Sequence, residues 1–238
     1  MRLELDGETV RYTTRTSSKA QKPNIRSKKT YFEVVIPEKS ALKAENLLKR
    51  KKNWVLRIRK DHEKYREKIP KRLFMEGENW RVLGEQKEIR IESRKTGKVD
   101  DDILLAEHLV ERTSVKYRLK QVLKDEARNI FEYKSDLYTD RIAEDYEKIF
   151  VRDQTTRWGS CSRKKNLNFN WRLVLGPQRV VDYVVAHEVA HLVHMNHGEE
   201  FWVLVEELHP DHRSSKDWLE QNAAELTFDP ESLRLLNR

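Results

Sequence analysis

His187-Glu188-Val189-Ala190-His191-Leu192-Val193-His194-Met195-Asn196-His197-Gly198 holds four of the chain's eight histidines, and six of the eight fall between residues 187 and 212. On an α-helix, residues four apart project from one face about 6 Å apart, so His187 and His191 can each bring a nitrogen to one zinc ion at about 2.0–2.1 Å. Glu188 stands beside such an ion without ligating it, where its carboxylate can take a proton from a polarised water, the role the HExxH pattern assigns. A catalytic zinc takes a third protein ligand and keeps a fourth position open. His197 lies ten residues past His187 and about 80° off its direction, so it reaches the ion only if the helix ends after about His194. Asn196 and Gly198 tolerate the left-handed backbone of such a bend. His194 is the rival ligand, but it stands roughly 7.5 Å along the axis from the midpoint of the first pair, which favours His197. Chance histidines on an ordinary amphipathic helix are the bland alternative, and the apolar setting of Val185, Ala186, Val189 and Ala190 argues against it.

Working outward, Gln178 to about Met195 reads as the helix that carries these residues, after a stop at Gly176-Pro177. Before it, Leu167-Asn168-Phe169-Asn170-Trp171-Arg172-Leu173 alternates with period two, and it pairs as a β-hairpin across the turn Arg163-Lys164-Lys165-Asn166 with residues 155–162. Ile149 and Val151 mark a further strand. Trp158, Phe169 and Trp171 read as core or hairpin contacts, and Cys161 as a small buried residue. The hairpin edge is a candidate strand-addition site for an extended substrate. Arg172, Tyr183, His209 and His212 are candidates to stabilise an oxyanion, with His209 and His212 flanking Pro210-Asp211 in what reads as a surface loop. Asp211 or Glu207 could orient a ligand histidine.

Further towards the N-terminus, residues 13–30 lack apolar periodicity and read as a loop or weak hairpin arm. Tyr31 to Ile36 reads as a strand, and a helix capped by Ser40 is expected to run to about Lys68, with Pro70 beyond it. Trp80–Gly84 and Ile89–Ile91 alternate as strands. Gly97 with Asp100-Asp101-Asp102 reads as a linker whose acidic run starts a helix extending to about Lys134, with Thr113 and Ser114 as a break.

Charged residues make up 37% of the 238 residues, and no run approaches the roughly 18 apolar residues of a membrane span. A single cysteine excludes an intrachain disulfide and a Cys-rich metal site, which points to a reducing compartment, and with no leader pattern the expected location is the cytoplasm. Residues 1–120 carry 32 Lys+Arg against 19 Asp+Glu, while residues 121–238 carry 16 against 21, so the basic half is not the half with the histidine cluster. That excess can attract nucleic acid or form a solvated face.

Arg157-Trp158-Gly159-Ser160-Cys161, Leu167 to Leu173, Asp182-Tyr183-Val184-Val185-Ala186-His187-Glu188, and Asn196-His197 with Phe201-Trp202 together resemble the YgjP-like metallopeptidases, relatives of the SprT-like and other zincin proteases. The likeness covers about residues 25 to 225. It implies that His187, His191 and His197 are zinc ligands and that Glu188 is catalytic. Two departures stand out: His194 replaces a Gly of the metzincin group, and Pro210-Asp211-His212 replaces the family's usual Pro-Asp-Tyr. The expected architecture is α+β: residues 1–100 form a basic strand and helix region, and residues 101–238 a zincin-like domain with a small antiparallel sheet beside the HExxH helix. The expected function is zinc-dependent peptide hydrolysis on peptide or protein substrates, without membrane association. The alternative is a nucleic-acid-associated protein whose zinc is structural, or a protease acting on DNA-bound proteins.

Overall fold

Asp6-Gly7 and Leu83-Gly84 each place two consecutive residues at positive φ (51° and 78°, then 54° and 94°) between antiparallel strands. That geometry makes two-residue type I′ hairpins, whose twist matches the flanking strands. In the computed structural model residues 1–154 and 156–229 are described, and they divide into two units. The first contains Met1–Arg72 and the described residues after Leu226, and the second Leu73–Leu226.

In the first unit, β1 (Arg2–Leu5) and β2 (Glu8–Ser17) form the hairpin, β4 (Phe32–Pro37) runs parallel to β2, and β3 (Asn24–Ser27) pairs antiparallel with β4. The order is β1-β2-β4-β3. Half of residues 13–30, at 13–17 and 24–27, are therefore strand, where a loop or weak hairpin arm was expected. Thr13, Thr14 and Thr16 are β-branched, and parallel pairing with β4 satisfies their backbone. Leu5, Val10, Tyr12, Phe32 and Val34 meet Ala44 and Leu48 of α1 (Ala44–Arg50) and Val55 of α2 (Lys52–Glu67) in a buried core. The single helix expected from Ser40 is two helices broken at Lys51 (φ −104°, ψ 23°). Ser40 instead accepts a bond from Leu42 N–H at 3.3 Å, before the first helix begins.

The second unit repeats this plan. β5 (Asn79–Val82) and β6 (Glu85–Glu92) form the hairpin, β8 (Ile103–Ala106) runs parallel to β6, and β7 (Lys98–Val99) pairs antiparallel with β8, in the order β5-β6-β8-β7. The stretch read as a linker lies inside this sheet, so the division expected at residue 100 falls within the second unit. Asp100–Asp102 turns between β7 and β8 rather than starting a helix. The apolar run at 103–106 is a strand because β6 and β7 pair with it on both sides; its short apolar pattern alone fits either state.

After β8 comes α3 (Glu107–Arg112), then α4 (Val115–Ile142), whose N-cap Ser114 accepts from Tyr117 N–H at 3.2 Å. The break at Thr113–Ser114 is present, and α4 runs eight residues past Lys134. β9 (Lys148–Arg152), β10 (Gly159–Cys161) and β11 (Asn166–Asn170) form a sheet of order β10-β11-β9. The β10–β11 hairpin is antiparallel as expected, but β9 runs parallel to β11, so the sheet is mixed. The alternation ends at Asn170, whose Oδ1 accepts from Arg172 N–H at 3.2 Å and starts a 3₁₀ turn, Trp171–Leu175. α5 (Gln178–Ala190), α6 (Glu199–Leu208) and α7 (His212–Asn222) complete the unit. Phe131 of α4 stacks on Phe169 of β11 with centroids 4.7 Å apart, both fully buried. The protein is thus α+β with small mixed sheets. Among the described residues no helix is long and apolar enough to cross a membrane.

Candidate metal centre

α5 is apolar nearly all round: Val180, Val181, Val184, Val185, Ala186, Val189 and Ala190 are buried. Burial on every side locks this helix in the interior, so the polar groups it carries at its C-terminal end are held where water is scarce. The helix stops at Ala190, about a turn earlier than the sequence suggests, with His191 as its C-cap. The early stop lets the chain turn back. Asn196 Oδ1 accepts from Gly198 N–H at 3.2 Å, and Gly198 caps α6.

That turn brings His197 to the other two histidines. His187, His191 and His197 each offer a ring nitrogen, and these atoms lie within 4.8 Å of one another. His187 Nε2 and His197 Nε2 are 3.2 Å apart. His194 stands outside the trio, its Nδ1 3.6 Å from Glu200, but its backbone carbonyl accepts from His191 Nδ1–H at 2.9 Å. That bond fixes the His191 tautomer and leaves Nε2 free to face the other rings.

Phe201 of α6 walls the trio. It stacks on His191 (4.5 Å, 30°) and meets His187 and His197 edge-on at 5.0 and 4.8 Å. Trp202 lies 5.8 Å from His187 and 5.9 Å from His197. In this setting burial, reinforced by the neighbouring histidines, drives the His187 pKa down to about 3, and burial also lowers His191, so both rings are neutral at neutral pH.

Glu188 is only 5% exposed, and burial pushes its carboxyl up to about 8 against the opposing pull of the Cys161 backbone N–H and Arg157. The carboxylate rests on Gly159 of β10. A Cβ on that glycine would stand 2.5 Å from Glu188 Oε1 and 2.6 Å from its Cγ, so the Arg157-Trp158-Gly159-Ser160-Cys161 run contains the one residue type that leaves room for it.

The other sequence candidates lie in varied settings. Tyr183 is buried, its hydroxyl pushed up to about 12, with its ring 5.9 Å from His187. Arg172 is committed elsewhere, 2.5 Å from Asp153. His209 meets Ser215 Oγ at 3.0 Å. His212 is the correction: instead of lying in a surface loop it opens α7, is 5% exposed, and stacks on Trp202. Among the described residues neither Asp211 nor Glu207 bonds a histidine of the trio through its carboxylate. Glu207 offers its backbone carbonyl to Arg141 at 2.6 Å. Phe169 and Trp171 are core residues as expected. Cys161 is only half-buried, its thiol pushed up to about 11 by burial and the charge of Glu188. Sequence reasoning missed three contributions: the Phe201 wall, the Gly159 cradle and the His194 carbonyl. The first two had a signal, in the Phe201-Trp202 pair just after His197 and in the glycine of the Arg157–Cys161 run.

The family model described as YgjP-like, metallopeptidase domain, matches residues 21–222, and the chain belongs to that family. No curated protein and no solved structure matches it. A metallopeptidase implies a metal ion and a protein or peptide substrate. The residues fit an ion: His187, His191 and His197 bring ring nitrogens within 4.8 Å of one another, the Nε2 atoms of His187 and His197 only 3.2 Å apart, and imidazole nitrogens are common zinc donors.

Proposed function

We propose that the protein is a zinc-dependent peptidase in which His187, His191 and His197 hold the ion and Glu188 is the general base. The observation that carries this reading is the convergence of three ring nitrogens within 4.8 Å beside one buried carboxyl, with no fourth His, Cys, Asp or Glu donor grouped with them among the described residues. Three imidazoles suit zinc, and an unfilled fourth position distinguishes catalytic from structural sites. When bound, the metal polarises the scissile carbonyl and acidifies a water to a pKa of about 7.

The chain's own groups do the rest. With the metal's charge beside it, Glu188 would stay ionised despite its burial, accept the water proton on its carboxylate and later deliver it to the leaving amine. The Cys161 backbone N–H and the space over Gly159 aim that carboxylate, and Phe201 keeps water from the back of the imidazoles. β10 is an edge strand. Trp158 O and Ser162 N bond to β11, so by the alternation of antiparallel pairs Gly159 and Cys161 turn their backbone groups outward. An extended peptide can add along that edge and pass Glu188.

Metal analysis and a protease assay on the wild type and Glu188→Gln test the assignment together. We expect about one zinc per chain in both, and a loss of about 10²–10⁴-fold in turnover for the variant, the usual contribution of a general base. Wild-type turnover by Glu188→Gln, or a folded protein that takes up no zinc, would overturn it.

A further inference from the structure

The net positive charge of this chain is carried by residues 1–72. Residues 1–72 carry 22 Lys+Arg against 9 Asp+Glu, whereas residues 73–226 carry 24 against 29. Within the first unit several cations are answered internally. Arg15, Arg26 and Lys28 surround Glu33 at 3.8 to 4.0 Å, Arg59 lies 2.6 and 2.7 Å from Glu8 and Glu63, and Lys52 lies 2.9 Å from Asp6.

Six other cations along the helices are not. Lys49, Arg50 and Lys51 are exposed at the break between α1 and α2, where residues 49–54 line a hollow of about 430 Å³. Arg57, Lys60 and Lys64 continue on α2 at spacings of three and four, also exposed. None of these six has an ion pair among the described residues. Glu63 is taken by Arg59 and Arg66. Lys60 and Lys64, four apart, repel one another, and the acidic neighbour on that stripe is Asp61, four residues past Arg57 and three before Lys64.

We propose that this face, formed by Lys49, Arg50, Lys51, Arg57, Lys60 and Lys64, binds the phosphodiester backbone of nucleic acid independently of sequence. From Arg57 to Lys64 the stripe extends about 10 Å at 1.5 Å per residue, and duplex DNA presents one charge per about 1.7 Å of axis, so successive phosphates lie within reach of successive side chains. An anionic membrane fits less well. Binding at a bilayer surface draws on apolar side chains beside the cations, and the one large apolar side chain exposed among residues 1–72 is Met1.

The test uses the full-length protein and a fluorescent mixed-sequence duplex of about 20 base pairs, with affinity followed by anisotropy between about 50 and 200 mM salt. With about six phosphate contacts, wild-type affinity should fall roughly a thousandfold over that range. With the Arg57→Gln, Lys60→Gln, Lys64→Gln triple variant the fall should shrink to roughly fortyfold, as about three contacts remain. Arg163→Gln with Lys164→Gln removes two exposed cations from the β10–β11 turn of the other unit and should leave the salt dependence unchanged. Circular dichroism checks that the exposed substitutions leave the fold intact. The proposal fails if the wild type does not bind the duplex at about 50 mM salt. It fails equally if the triple variant keeps the wild-type slope, if the control loses as much as the triple, or if phosphatidylserine vesicles are bound and the duplex is not. None of these readouts depends on peptidase activity.

Discussion

The sheets β1-β2-β4-β3 and β5-β6-β8-β7 share strand order, strand directions and a type I′ hairpin at the start, and each is followed by a helix pair, yet the helices part company. α2 buries only Val55 and His62 and shows cations outward, whereas α4 buries eight residues, among them Leu119, Leu123 and Phe131. The strand frame does not decide what the unit does. The width of the apolar face on the following helix decides it: a narrow face covers one sheet and leaves a charged surface, while a broad face lets the helix serve as wall to the sheet that carries β10 and Gly159.

Three measurements probe that contrast, from the largest effect to the smallest. Gly159→Ala strikes the outcome of the second unit's packing, because the added methyl occupies the place of the Glu188 carboxylate. We expect turnover to fall by about 10²-fold or more, as for a displaced general base, while zinc content stays at the wild-type level. Full activity would mean that the carboxylate finds its position without the cradle. Phe131→Ala removes the ring that α4 stacks on Phe169, and a fully buried phenylalanine costs about 3–5 kcal/mol on truncation. Denaturant unfolding should show that loss, and a cost under about 1 kcal/mol would mean that α4 does not depend on its broad face.

The smallest effect concerns the first unit. His62 is buried, bonded to Ser27 Oγ at 2.8 Å and packed on Phe32 at 4.7 Å, and burial lowers its pKa to about 4, with Arg66 adding to the effect. The unfolded imidazole takes up its proton near 6.5, so between about 6.5 and 4 the unfolded state binds more protons than the folded one. The contribution is therefore fully present above about pH 6.5 and is lost as pH falls towards 4, by roughly 3 kcal/mol at most. Urea unfolding at several pH values on the wild type and His62→Gln isolates it, since the variant should lose this part of the slope. Equal slopes would show that His62 protonates without strain.

Much of the architecture was legible locally. The hairpin around Arg163–Asn166, the strands at 80–82 and 89–91, the break at Thr113–Ser114 and the helix bearing His187 all follow from alternation, turn residues and helical spacing. The missed strands share one cause. Residues 13–17, 98–99 and 103–106 are strands because a partner strand satisfies their backbone, and a partner is not a local property. The helix ends at Ala190 and Asn170 leaves the sheet for a local reason instead: a histidine ring bonding a carbonyl three residues on, and an asparagine capping a turn, compete with continued regular structure.

By itself the sequence determined which groups the centre has to work with and that two of the imidazoles share a helix face, because a four-residue spacing has the same consequence on any α-helix. It also determined the segregation of charge. The tertiary structure alone decided how His197 approaches the pair, which carbonyl orients His191, what walls the rings, and that Glu188 lies buried against a glycine almost thirty residues before it. Those relations join groups on separate elements, and their distances depend on how helices and strands pack rather than on any period along the chain.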